Sequence, residues 1–421
     1  MMLSGCSQVR HLYWSAVVNE GPTKNLPEDH VTLELPSLEK ADIILEDNEV
    51  HDNVKSGIRV RGSSRVLISR CKVFRNGRSG LRLERKCNVT VDNSDIFLNA
   101  SAGIDVMNGS RGTFLRSNIY QNQATGVRIK TKGVRAPEYG LFRLYKTRIF
   151  LNGQAGVLAV PRQDTGIGLE LLFSDVFHNA RAGVRVRGDV YFRGKRNDVY
   201  LNQETGLAFF SQGDVLPRLD VYENKIFLNG RAGVQVLGGV TGPIGLTNNW
   251  IYNNNDSGIA IGLGSETGSR CSVLRIYHNT IVGNGSGSRG AGIINRGKGW
   301  LDIENNIIAF NVRAGLLGIH CEDASHNLLF DNGQTTTFDA DKPYAFLIKR
   351  SQYGGCLTSG SGDILTDPLF KAPATFDYSL TDSSPAKGAA SLLPGAYFQQ
   401  FPSKDMGSLV VPPGNIAGGA K

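Results

Sequence analysis

Seven basic side chains and two carboxylates stand where they could act together on one partner. They are Arg59, Arg61, Arg82, Arg128, Lys130, Arg185 and Arg187, with Glu84 and Asp105 among them. Each lies two or four residues after a glycine in a short alternating run. Gly57-Ile-Arg-Val-Arg, Gly80-Leu-Arg-Leu-Glu, Gly103-Ile-Asp-Val and Gly126-Val-Arg-Ile-Lys show the pattern. Side chains two apart on a strand share a face, so each run presents two outward groups. Guanidinium forks grip carboxylates in bidentate fashion, so a row of them suits uronate or sulfate groups along an extended glycan.

Two chemistries are open to this set. Removing the proton beside a uronate carboxylate requires that carboxylate to be neutralised and a base to stand close by. Arg82, Arg128 and Arg185 could clamp the carboxylate, and cationic crowding by Arg128 drives Lys130 toward the neutral amine that a base must be. Elimination or epimerisation would follow. Alternatively, Asp105 and Glu84, one repeat and two residues apart, would place their Cβ atoms about 8 Å from each other, within the spacing of an inverting acid/base pair. Arginines on both sides favour the ionised form of Asp105, which suits a base better than an acid. The plainer reading makes Asp105 a relief of repulsion between Arg82 and Arg128, on a polar strand face that opposes aggregation. Against it, seven like charges on one face repel one another and bring no folding benefit without a partner. No cluster of aspartates resembles a calcium site, and neither cysteines nor histidines show ligand spacing, so no cofactor is expected.

A repeat positions these groups. Twelve times between residues 50 and 332 the chain writes an aliphatic residue, usually an aromatic, any residue, then asparagine. The asparagines are Asn53, Asn76, Asn99, Asn122, Asn152, Asn179, Asn202, Asn229, Asn254, Asn284, Asn311 and Asn332, and the first four are 23 residues apart. A fixed period with a recurrent turn residue marks a solenoid. Alternation of period 2, with abundant Gly, Asn and β-branched residues, excludes paired helices and predicts three short strands per repeat. Stacked coils lie about 4.8 Å apart, so the asparagine amides should bond from coil to coil and the aromatics two residues earlier should stack. Asparagine also tolerates a left-handed turn, and the glycine four residues later would permit a second bend.

These features resemble the right-handed parallel β-helix proteins of bacteria grouped in the pectate-lyase-like superfamily. The expected fold is an all-β solenoid of about 12–14 coils over residues 1–335, followed by a closing segment over 336–421 packed on or beyond the last coils. Asp367-Pro-Leu-Phe, Asp377-Tyr-Ser-Leu and Ser383-Ser-Pro-Ala resemble the closing segments of secreted members. The resemblance implies an exported protein of the extracellular space or cell envelope that engages an acidic polysaccharide. If it is an enzyme, lyase or epimerase action is expected before glycoside hydrolysis, because the paired-aspartate and Gly-His-Gly signatures of polygalacturonases are missing. Gly126-Val-Arg-Ile-Lys resembles their substrate-binding segment, yet the repeat alone generates it. The alternative is a non-catalytic surface, envelope or adhesin-like rod.

Composition sets further bounds. Net charge is +8 over 421 residues, too modest to suggest a nucleic-acid scaffold and consistent with an anionic glycan if clustered. No apolar run is long enough for a transmembrane helix. With no coiled-coil or trimerising segment, a monomer is expected. Leu3-Ser-Gly-Cys6 matches a lipobox, but no basic or apolar leader precedes it and the segment aligns with the repeat, so the chain is read as beginning mid-helix. Cys321 and Cys356 could bridge the closing segment, whereas buried free thiols are the plainer reading of the cysteines. Long repeats predict protruding loops at 131–139, 161–165 and 188–196, which would wall a groove beside Arg128 and Arg185. Tyr139, Tyr191 or Phe192 would then stack on sugars.

Overall fold

The computed structural model describes residues 10–12, 42–107, 109–130, 140–161, 166–211, 217–238, 245–262, 273–286, 290–297, 300–319, 323–333, 362–391 and 404–408. The chain divides into two compact units, Met1–Arg218 and Leu219–Lys421. In the first, each coil contributes one strand to each of three parallel sheets. One coil reads Arg65–Ser69, Lys72–Phe74, Leu81–Glu84, and the next reads Asn88–Asp92, Asp95–Phe97, Ile104–Met107. We call the sheets first, second and third in that order. Registers are parallel and unbroken: Ile58 pairs with Leu81, Leu81 with Ile104, Ile104 with Val127, Val127 with Val157, Val157 with Val184 and Val184 with Leu207. These aliphatics are fully buried and stack as one column of the core, which is why the alternation holds from repeat to repeat.

The turn between the second and third sheets is built from the repeated phrase. Asn53, Asn76, Asn99, Asn122, Asn152, Asn179 and Asn202 form one chain of side-chain amides, each Nδ2 donating to the next Oδ1 at 2.8 to 3.0 Å. His51, Phe74, Phe97, Tyr120, Phe150, Phe177 and Tyr200 stack beside it with ring centroids 4.7 to 4.9 Å apart. Two expected turn roles are corrected. The left-handed residue is the one before the asparagine, as at Leu98, Gln121, Leu151, His178 and Leu201 with φ of 52° to 55°. The glycine four residues later has no positive φ and is required for space instead. A Cβ at Gly126 would lie 2.7 Å from the Gly156 carbonyl oxygen and 2.9 Å from Asn152 Nδ2.

The second unit repeats the plan. Asn229, Asn254, Asn284, Asn311 and Asn332 form its amide chain at 2.9 to 3.0 Å. A further ladder runs along the other turn through Asn224, Asn249, Asn279, Asn306 and Asn327. The closing segment completes it: the Asn327 backbone N–H donates to Asp363 Oδ1 at 2.7 Å, and Ile364 bridges in parallel to Leu328. Beyond that bridge the segment lies along the coils of this unit. Tyr378 packs on Trp250, Tyr252 and Phe370, while Ser408 bonds to Thr280 and to the Asn248 carbonyl.

Candidate functional site

The outward positions of the third sheet in the first unit hold the predicted site residues. Strand registers set Arg59 beside Arg82, Arg82 beside Asp105, Asp105 beside Arg128, Arg128 beside Leu158, Leu158 beside Arg185 and Arg185 beside Ala208. The neighbouring column carries Arg61 beside Glu84, Met107 beside Lys130 and Arg187 beside Phe210. The repeat therefore brings together all the predicted residues that belong to the sheet.

Their charges are not left to repel one another, which corrects that expectation. Glu84 accepts from Arg59 Nη2 at 3.0 Å, from Arg61 Nε at 3.0 Å and from Arg82 Nε. Asp105 takes a two-pronged fork from Arg128, Nε and Nη2 each at 2.8 Å. The Glu84 and Asp105 side chains are 9% and 2% exposed, whereas Arg59, Arg61, Arg82 and Arg128 are 23% to 26% exposed and lie over them. Burial opposes ionisation of Glu84, but hydrogen bonds and charge from Arg82 and Arg61 prevail and hold its carboxyl below the usual range. The bond to Asp105 likewise raises Arg128 against the opposing cost of burial. The cation expected to crowd Lys130 is thus already matched by a carboxylate.

Three cations of the face stand apart from these pairs. Lys130 and Arg187 are exposed at strand ends, and Arg185 lies half-buried with its guanidinium carbon 4.8 Å from the Phe210 ring centroid. Among the described residues none of the three has a carboxylate partner. Around them the face is apolar, with Leu158, Val160 and Phe210 half-buried.

The expected walls differ from the sequence reading. Residues 188–196 do not protrude as a loop; Val190–Lys195 is a strand of the first sheet, paired along its length with Ile167–Leu172. Alternation turns Phe192 into the core, fully buried against Phe209, so it cannot stack on a sugar. Tyr191 faces outward on that other sheet, where its hydroxyl accepts from Arg193 Nη2 at 2.8 Å. Tyr139, most of the 131–139 and 161–165 stretches, Leu3 to Cys6, and the pair Cys321 and Cys356 lie outside the described residues. Cys71 and Cys87 are buried and free, and burial raises both thiols, which makes them inert.

Sequence reasoning missed a second ionic row on the first sheet. Glu170 accepts from Arg143 Nε at 2.7 Å and from Arg193 Nη1 at 3.3 Å. The signal was available, because these residues stand nine positions before Asn152, Asn179 and Asn202 (152 − 143, 179 − 170 and 202 − 193 all give 9). Among the described residues, no group of three or more His, Cys, Asp or Glu side chains is placed to hold a metal ion. No helix among them is long and apolar enough to cross a membrane.

The profile of a right-handed β-helix region matches residues 37–159 and 144–308. The chain belongs to the right-handed β-helix family. No curated protein sequence matches this β-helix significantly. Among solved structures it is similar to the periplasmic alginate epimerase AlgG, at 15% identity over 70% of this chain and 72% of that one, with a TM-score of 0.41. It is similar also to pectate lyase Pel9A, at 15% identity over 89% of this chain and 85% of that one, with a TM-score of 0.35. Neither likeness assigns a role to any residue of this β-helix.

Proposed function

We propose that this β-helix binds an acidic polysaccharide along the outward face of its third sheet, at Lys130, Arg185 and Arg187. The observation that carries the reading is the presence of three cations that have no carboxylate partner among the described residues, beside half-buried Leu158, Val160 and Phe210. A charged glycan offers both halves of what this surface lacks: carboxylates for the cations and apolar ring faces for the aliphatic and aromatic side chains. The cation–π contact with Phe210 restrains the Arg185 guanidinium over the ring before a ligand arrives. The setting that goes with such a ligand is the cell envelope or the extracellular space.

Binding is favoured over catalysis because the groups the chemistry would need are already engaged, Arg128 with Asp105, and Glu84 with Arg59, Arg61 and Arg82. Changing both Arg185 and Arg187 to Ala is expected to weaken binding of acidic oligosaccharides at least about tenfold, since one charge-assisted hydrogen bond contributes about 1.5–3 kcal/mol. Titration calorimetry reads this directly, and unchanged affinity in the double variant would remove the face from the account. Catalysis has its own readout. An unsaturated product absorbing in the ultraviolet, or an altered uronate composition by NMR, that disappears in Lys130→Ala would make Lys130 the base of a lyase or epimerase.

A further inference from the structure

The unmatched cations of this face stand on two coils with one coil between them. Lys130 belongs to the strand Val127–Lys130, and Arg185 and Arg187 to Val184–Arg187. The intervening strand, Val157–Ala159, sets Leu158 between Arg128 and Arg185. The Val160 N–H donates to the Ile129 carbonyl at 3.0 Å, which brings Val160 alongside the strand end that bears Lys130. The strand after the arginines offers Ala208 and Phe210. The order along the face is therefore cation, apolar, cation, apolar. With coils about 4.8 Å apart the charged steps are about 10 Å apart, close to the length of two pyranose units in an extended chain.

From this we infer that the face selects a glycan with one carboxylate per disaccharide, in which charged and neutral sugars alternate, over a polyuronate charged at every sugar. The inference rests on the binding reading above. A chain lying along the solenoid axis would set its carboxylates at Lys130 and at the Arg185 and Arg187 pair. Its neutral sugars would rest on Leu158 and Val160, and on Phe210. A polyuronate whose successive carboxylates all face the sheet would hold every second one over Leu158 and Val160, where a desolvated charge has no partner. Sliding toward the N-terminal coils offers no remedy. The arginines there are matched by Glu84 and Asp105, and those two carboxylates oppose a further negative charge.

The test compares hyaluronan oligosaccharides, oligogalacturonates of equal sugar count and cello-oligosaccharides by titration calorimetry at low salt. Tighter binding of hyaluronan than of oligogalacturonate, by about tenfold for each misplaced carboxylate, is the expected result. Val160→Lys adds a cation at the intermediate coil on an outward position and should move the ratio toward oligogalacturonate. Equal or tighter oligogalacturonate binding that is lost in the Arg185→Ala, Arg187→Ala double variant would overturn the alternation and leave the binding face standing. So would a ratio indifferent to Val160→Lys. Failure of both acidic glycans to bind, or binding unchanged in the double variant, would overturn both readings.

Discussion

Glu84 carries the charge balance of three arginines. Without it, Arg59, Arg61 and Arg82 would lose the buried carboxylate on which they converge. Glu84→Ala should therefore destabilise the fold by about 2–4 kcal/mol, below the range for a fully buried pair because the arginines keep some contact with water. Urea denaturation measures it. Glu84→Gln adds a test of sign. The folded carboxyl is held below its ordinary value of 4.5, so ionised Glu84 stabilises the native state in full above that pH. The advantage of the native protein over Glu84→Gln should be constant near neutrality. It should vanish as pH falls through the lowered folded value, and an advantage that persisted in strong acid would contradict the ion-pair account. Asp105 plays the same part for Arg128, whereas among the described residues of this face Lys130, Arg185 and Arg187 have no carboxylate partner.

At the scale of the element, the turn is the most tightly determined piece. Asn122 accepts from the Asn99 backbone and side chain and donates to the Ile96 carbonyl, the Tyr120 carbonyl and Asn152 Oδ1, all with its side chain almost wholly buried. Asn122→Ala orphans several of these groups at once. A loss of about 3–5 kcal/mol is expected, since each buried group left without a partner costs about 1–3 kcal/mol and relaxation recovers part. Coils contact only their neighbours, so hydrogen exchange should quicken in the coils holding Asn99 and Asn152 and not in distant ones. Protection lost evenly over the first unit would show cooperativity wider than this predicts. The residue before each asparagine has a different task. Leu98, Leu151 and Leu201 hold left-handed φ values that suit Gly or Asn better, and they remain substantially exposed. The stacked hydrogen bonds on either side impose that conformation, which local propensity alone would not choose.

For the molecule as a whole, the closing segment finishes what the repeat leaves open. Asp363 replaces the next asparagine of a ladder, Tyr378 covers Trp250 and Tyr252, and residues 404–408 bind back to the coils. Tyr378→Ala removes a nearly buried ring and should cost about 3–5 kcal/mol. It should also open Trp250 to acrylamide quenching, and unchanged quenching would show that Tyr378 is not its cover. His278 adds a pH dependence at the same docking surface. Its ring faces the Asp405 carbonyl at 3.2 Å and Asn305 at 3.5 Å. Burial lowers its basicity below the ordinary 6.5 and outweighs the opposing pull of Asp405. The neutral ring then stabilises the fold in full above pH 6.5, and that contribution falls away as pH drops through the lowered folded value.

The sequence by itself determined the solenoid, the amide chain, the aromatic stack and the identity of the outward columns. A period of 23 residues and an alternation of 2 leave little freedom for which side chains become neighbours. Asp105 was legible between Arg82 and Arg128 for that reason. The same ruler would have disclosed Arg143, Glu170 and Arg193, had it been laid nine residues before each asparagine. Tertiary structure alone decided which charges of the face are matched by carboxylates. Register says that Glu84 is beside Arg61, but only side-chain geometry lets one carboxylate gather Arg59, Arg61 and Arg82 while Arg128 turns to Asp105. It also moved Phe192 from a supposed loop into the core, because a strand there continues the first sheet. Periodicity fixes where a side chain starts, whereas ion pairing depends on where a long and flexible side chain ends.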